Sequence, residues 1–312
     1  MPGKLITLVI FLTISLTGIY AQSDSVFICK VDDNNNILLE DHLTREKNQD
    51  TSKDPFMYYD RYSQSIIDML INLGLYNENK SIYNFDKDNI AFEQYSNIRI
   101  GDVFYLATSA KVYTVKAIGY KIFLEDVSGA GNIFYVVLEN PEPSGTGKGT
   151  VCIASKNPNI RTLDTTGVTD PKIIDKFQNI INNLIPEKSI NAEDFTPYQT
   201  LKIFSGQFVD QIRMPQRPVK QYLVSFLKKT GLETYSCLVN IFDEDGVLLK
   251  ELVPVQIDSF DFRDAIGIID VNGDGKQEIL TEWGYYEGWG LELFRLEGEK
   301  YISIADGFFF GL

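Results

Sequence analysis

The sequence predicts an α+β protein that is mainly antiparallel β, with a few helices and a C-terminal half that is nearly all β. Three observations carry that expectation. Short β-branched and aromatic runs, separated by Gly, Asn and Asp clusters, recur from about residue 101 to the end. Such runs are the pattern of antiparallel strands joined by turns. Two segments only, near residues 62–73 and 171–185, place apolar residues at helical spacing. Apolar residues make up 44% of the chain, enough to fill a packed core.

The chain opens with a segment that reads as an export signal, not as part of the fold. Lys4 gives a positive start, Leu5 to Thr17 is apolar, and Gly18 to Ala21 ends on a small residue. The apolar run is shorter than the ~20 residues a membrane-spanning helix needs, so cleavage after Ala21 is expected, with Gln22 the first mature residue. Ile19 is a poor residue three places before that cut, and an uncleaved N-terminal anchor is the alternative reading. No second long apolar run follows. The mature chain is therefore expected to be secreted or periplasmic, with no membrane insertion after cleavage.

Residues 22–165 read as an α+β unit. Val26 to Val31 forms a strand, Asp32 to Asn36 a turn, and Ile37 to Leu39 a strand that pairs back. Glu40 to Pro55 is polar and reads as a loop. Ile66, Ile67, Leu70 and Leu73 share a helix face within Tyr62 to Leu73, and Gly74 ends it. Val103 to Leu106, Val112 to Ile118, Tyr120 to Leu124, Ile133 to Leu138 and Thr150 to Ala154 read as an antiparallel meander. Pro141 to Gly149 is a Pro/Gly-rich loop. Residues 166–197 hold a helix and a connection. Asp170 caps that helix and Pro171 suits its first position. Ile173, Ile174, Phe177, Ile180, Ile181, Leu184 and Ile185 line one face, and Pro186 stops it.

Residues 198–312 read as a β unit. Its strands fall at Leu201 to Phe208, Tyr222 to Leu227, Tyr235 to Phe242, Val247 to Val253, Phe260 to Ile269, Glu278 to Thr281, Leu291 to Leu296 and Tyr301 to Ala305. Asp243-Glu244-Asp245-Gly246 is a hairpin turn. No repeat of fixed period occurs, which argues against a full propeller or solenoid.

Charge excludes some partners. Asp and Glu number 43 against 29 Lys and Arg, a net charge of −14. Nucleic acid needs clustered basic residues, and anionic lipid repels an acidic surface. Cys29, Cys152 and Cys237 lie in apolar strand contexts at wide spacing, so buried free thiols are expected. A Cys29–Cys152 bridge is the alternative that export would permit. His42 is the only histidine, which excludes a histidine-built zinc site. No G-x-S-x-G elbow occurs around Ser128. Ser144 to Thr150 fails as a phosphate loop, since Glu142 stands where its first glycine belongs and Gly149 follows Lys148. No catalytic residue is assigned.

One stretch names a ligand. In Asp270-Val271-Asn272-Gly273-Asp274-Gly275-Lys276-Gln277-Glu278, oxygen-bearing side chains fall at positions 1, 3, 5 and 9, and a glycine at position 6. Calcium takes six to eight oxygens in flexible geometry. Asp270, Asn272 and Asp274 can point inward from a curling backbone, Lys276 can offer its carbonyl, and Glu278 can close the shell. A bare metal-free turn is the competing reading, because Asp and Asn also accept local backbone hydrogen bonds. Position 12 is Thr281, not the Glu of an EF-hand, and the flanks read as strands. The strand–DxNxDGxxE–strand form resembles the calcium loop of FG-GAP/VCBS-type repeats, over roughly Phe260 to Tyr301. That resemblance implies one structural calcium held by Asp270, Asn272, Asp274, Glu278 and the Lys276 carbonyl. The family strings several repeats together, and this chain has one copy.

Just beyond lies Glu282-Trp283-Gly284-Tyr285-Tyr286-Glu287-Gly288-Trp289-Gly290, which holds both tryptophans. Trp283, Tyr285, Tyr286 and Trp289 are candidate ligand-binding rings for carbohydrate or protein at the cell surface. A glycine-punctuated hairpin with rings packed across strands explains the same residues without a ligand. The expected function is an exported, non-enzymatic structural or binding module stabilised by one calcium ion. The alternative is a glycan binder or glycan hydrolase that uses segment 282–289, with Glu282 and Glu287 as its acids.

Overall fold

A computed structural model describes residues 26–40, 65–86, 92–124, 132–142, 149–185, 198–209, 219–285 and 288–311, with backbone only for Asp86 and residues 309–311. The export segment, the polar loop with His42, Pro186, Tyr286 and Glu287 lie outside the described residues. The described protein is mostly antiparallel β with two helices.

Seven strands form the first sheet: β1 (Val26–Val31), β2 (Ile37–Glu40), β3 (Ile82–Asp86), β4 (Val103–Ala107), β5 (Val112–Phe123), β6 (Ile133–Leu138) and β7 (Val151–Ser155). Their order is β3-β5-β4-β7-β1-β2-β6, and β5 also pairs with β6. Strands β5, β4, β7, β1, β2 and β6 therefore close on one another as a barrel, with β3 attached to β5. β4, β5 and β6 pair consecutively as the expected meander, but β7 pairs with β4 and β1 instead of β6. β5 pairs with β4 through Val112–Lys116, and with β3 and β6 through its second half. Closure gives the partner strands no open edge. Gly119, expected to separate two strands, lies inside β5, where the register to β6 shifts between Ala117 and Gly119. A glycine suits such a bulge.

Alternation fills the barrel. Cys29, Val31, Ile37, Leu39, Phe104, Leu106, Phe134, Val136, Cys152 and Ala154 share one buried cluster. Ile66, Met69 and Leu70 join it from helix α1, whose described residues are 65–72. Gly74 follows at φ +68°, the left-handed conformation that ends helices. β3 escaped the sequence reading because it is only five residues long and lies in a polar stretch rich in Asn, Asp and Lys, yet Tyr83 and Phe85 alternate with Asn84 and Asp86 and Tyr83 is buried.

Helix α2 (Pro171–Leu184) starts as expected, with the Asp170 carboxylate accepting from Lys172 N at 3.0 Å. Two four-stranded antiparallel sheets follow. One orders β11 (Leu248–Ser259), β10 (Tyr235–Asp243), β9 (Gln221–Lys229) and β8 (Gln199–Gly206); the other orders β12 (Phe262–Ile269), β13 (Glu278–Tyr285), β14 (Gly288–Glu297) and β15 (Lys300–Gly311). β11 is an edge strand with several register shifts, and it carries Pro254, a residue tolerated at edges.

These sheets stack as layers. Phe177 and Ile181 of α2 pack on Tyr222, Val224, Leu238 and Phe242. From its other face the β8–β11 sheet sends Leu223, Val239 and Ile241 against Ala265, Ile268 and Ile279. The far face of the β12–β15 sheet, with Ile269, Leu280, Leu291 and Leu293, meets Val26, Ile28, Leu38, Tyr135 and Ile153 of the barrel. The sheet that carries the candidate site is thus covered on both sides. The segment after β7 is woven into this junction. Leu163 N bonds to Thr108 O, Asp164 N to Ile268 O, and Arg161 N to Asp270 O.

Candidate cation loop and aromatic hairpin

β12 ends at Ile269 and β13 begins at Glu278, so residues 270–277 form the loop between antiparallel neighbours and Glu278 opens the next strand. Gly273 and Gly275 stand at φ +79° and +85°. A Cβ on Gly273 would lie 2.6 Å from Asn159 Cβ, whereas Gly275 faces open space. The carboxylate of Asp270 turns into the loop and accepts from Gly273 N at 2.6 Å and Gly275 N at 2.9 Å. Asn272 Oδ1 accepts from Asp274 N at 3.0 Å, and Asp274 Oδ1 accepts from Lys276 N at 2.8 Å. Asn272 Nδ2 donates to Asp274 Oδ2 at 3.2 Å.

The structure therefore gathers Asp270, Asn272 and Asp274 and curls the chain around them. Glu278 sits at the foot of the loop, 2% exposed. Its Oε2 accepts from Val271 N at 2.9 Å and its Oε1 from Arg295 Nε at 2.7 Å. Burial pushes the Glu278 carboxyl up, opposed by the Val271 N–H and by Arg295. Among the described residues, no group of three or more His, Cys, Asp or Glu side chains converges as a metal shell. The loop oxygens still suit a hard cation. A carboxylate oxygen has two lone-pair directions, and each hydrogen bond given above occupies one.

The aromatic candidates divide between the two faces of the hairpin. Trp283 and Tyr285 share a face of β13, with ring centroids 6.3 Å apart and planes within 8°. Both are half-buried. Trp283 is paired in register with Gly290, and a Cβ there would meet its ring at 2.9 Å. Trp289 pairs with Gly284, the neighbour of Trp283, and so occupies the opposite face. There Lys30 Nζ of β1 lies 4.3 Å from its ring centroid.

Glu282 shares the face of Trp289 and stands in register with Asp264. Asp264 is buried and accepts from Lys202 Nζ at 2.7 Å and from Ser225 Oγ at 2.7 Å. Burial pushes the Glu282 carboxyl up and Asp264 adds to the rise, while Lys202 and Lys30 oppose it. Sequence reasoning missed Lys30, Lys202 and Asp264. They come from three strands far apart in the chain; the β12–β13 register brings Asp264 to Glu282, and the packing of the layers brings Lys30 and Lys202.

All three cysteines are buried free thiols, as expected. Cys29 and Cys152 face each other directly across β1 and β7, and burial pushes the Cys29 thiol well up, with Cys152 adding to the rise.

No family model, curated protein or solved structure matches this chain.

Proposed function

We propose that the protein is an exported, non-enzymatic binding module whose β13–β14 hairpin presents Trp283 and Tyr285 to carbohydrate at the cell surface. The observation that carries this reading is the near-parallel, half-exposed ring pair. Two aromatic faces held in one orientation match the apolar faces of successive sugar rings, and neither ring loses much freedom on binding. We further propose that loop 270–278 takes one structural calcium through Asp270, Asn272, Asp274 and the Lys276 carbonyl, in the manner of an FG-GAP/VCBS-type loop. The loop opens the strand whose far end carries the ring pair, so a bound cation would stiffen the platform. Glu278 joins the shell once Arg295 gives up one of its oxygens. Residues 1–21 serve as the export signal in this reading, and 22–165, 166–197 and 198–312 as its units.

The hydrolase alternative fits the geometry less well. Glu282 and its neighbour Asp264 lie on the far side of the sheet from Trp283 and Tyr285, so one sugar chain does not meet both.

Both tryptophans lie in this hairpin, so intrinsic fluorescence reports directly on it. Titration with soluble polysaccharides (xylan, galactomannan, dextran) is expected to shift emission for at least one of them. Trp283→Ala should abolish retention of that polysaccharide in affinity gels, while Trp289→Phe keeps it. Retention unchanged by Trp283→Ala would refute the platform. Calcium at a hundredfold excess over its dissociation constant should add about 2.7 kcal/mol, and calorimetry on Asp274→Ala should show no binding heat. Arg295→Met should tighten calcium binding if Glu278 is a ligand.

A further inference from the structure

The barrel and the last strand enclose a cleft of about 380 Å³, within the range of small-ligand sites, roughly 300–1,000 Å³. Its wall is largely apolar, built from Leu38 of β2, Phe123 of β5, Ile133 and Tyr135 of β6, and Phe308 of β15. The Phe308 ring stacks on Tyr135, with centroids 5.8 Å apart. Phe308 holds this place at φ +56°, a conformation uncommon for a bulky side chain. Its N–H is tied to Glu40 Oε2 at 2.7 Å. Strained residues persist where surrounding structure fixes them, often beside ligands.

Among the described residues, one cation lines this wall. Lys30 is half-buried, and its Nζ lies 4.3 Å from the Trp289 ring centroid and 5.8 Å from that of Phe308. Its Nζ makes no hydrogen bond or ion pair with a described residue; burial lowers the ammonium's pKa, and the charge of Glu282 opposes that fall from a distance. Among the described residues the cleft lining carries two acids, Asp32 and Asp33. Asp32 is paired with Lys121 at 2.6 Å, and Asp33 is exposed. An ammonium bordered by aromatic faces at the edge of an apolar cleft favours an anionic group whose tail can lie along the wall.

We propose that this cleft is a binding site for a small amphipathic carboxylate, with the carboxylate on Lys30 and the alkyl or aryl body between Leu38, Ile133, Tyr135 and Phe308. It is separate from the Trp283–Tyr285 platform and does not depend on it.

The probes are hexanoate, octanoate and decanoate, with decanol and decylammonium as the neutral and cationic counterparts. All are titrated below their micelle concentrations by calorimetry and Trp289 emission. Affinity should rise roughly fourfold for each methylene buried, and decanoate should bind at least tenfold tighter than decanol and decylammonium. Lys30→Met, which keeps the apolar stem, should remove that preference, and Lys30→Arg should restore it. Ile133→Trp should fill the cleft and block all three carboxylates while the circular dichroism stays native. Trp283→Ala should leave decanoate binding unchanged. Equal binding of decanol and decanoate, an unaltered preference in Lys30→Met, full binding in a folded Ile133→Trp, or no binding of any carboxylate would each overturn the proposal.

Discussion

Lys121 and Asp32 form a pair whose side chains are 6% and 10% exposed, with Nζ 2.6 Å from Oδ2. Burial by itself would raise the Asp32 carboxyl, but Lys121 and Asn36 hold it below its ordinary value. A lowered carboxylate adds stability above its unfolded pKa and loses it as pH falls through the folded one. Lys121→Met should cost about 3–5 kcal/mol at pH 7, because it leaves Asp32 enclosed without its cation; urea midpoints would show it. Glu282 has the opposite sign. Its carboxyl is raised, so ionisation works against folding, and that penalty grows as pH rises from the ordinary glutamate range through the folded value. Glu282→Gln should therefore raise the melting temperature at pH 7 and make no difference below about pH 4, where even an unperturbed glutamate is largely protonated. A melt series between pH 4 and 8 tests that sign. Neither pair was legible in the sequence. Asp32 and Lys121 are 89 residues apart, and Glu282 meets Asp264 only because β12 and β13 adopt one particular register. The cysteines were half legible: their apolar settings foretold burial as free thiols, and Cys29 and Cys152 were named only as an alternative bridge, whereas they lie directly opposite each other. Such neighbours have Cα atoms within bridging range. Refolding in an oxidising glutathione buffer should yield a species two mass units lighter, with Cys237 as its one remaining thiol.

At the scale of elements, local chemistry spoke clearly wherever capping or turn residues determine the structure. Asp170-Pro171 began α2, and Asp243 to Gly246 turned β10 into β11, with Gly246 at φ +86°. Asp270 to Gln277 made a loop between strands. In each case the deciding contacts lie within a few residues. Strand lengths were less legible. β13 and β14 run on to Tyr285 and from Gly288, past glycines that suggested a longer turn. These glycines make room for rings instead: a Cβ on Gly284 would meet the Phe262 ring at 2.5 Å, and one on Gly290 would meet Trp283. The two loop glycines allow a sharper test. Gly275→Ala carries only the strain of positive φ and should cost about 1 kcal/mol. Gly273→Ala adds the clash with Asn159 and should cost about 2–3 kcal/mol, overpacking and strain together. Denaturant midpoints of the two variants, with and without calcium, give the comparison; equal losses would contradict the packing described for Asn159.

For the whole molecule, the β-rich class was legible because nearly every strand, β3 excepted, carries its own composition. Barrel closure was not, because it depends on β2 meeting β6 and on β7 meeting both β1 and β4, pairings that no local pattern encodes. The burial of the β12–β15 sheet on both sides leaves one trace. Ile266, Ile268 and Ile269 run almost without alternation, the mark of a strand covered on each face. That double burial predicts how the protein unfolds. Removing the barrel would expose Ile269, Leu280, Leu291 and Leu293 together, and would strip Asp164 from Ile268 and Arg161 from Asp270. A large apolar patch of this kind promotes association. Residues 198–312 expressed alone should therefore aggregate or bind hydrophobic dyes, while the full protein should melt in one transition. Leu280→Ala should cost about 2–5 kcal/mol and shift that single transition as a whole. Two separate transitions, with Leu280→Ala moving only one of them, would mean that the barrel and the C-terminal layers fold independently and that their shared cluster contributes little to either.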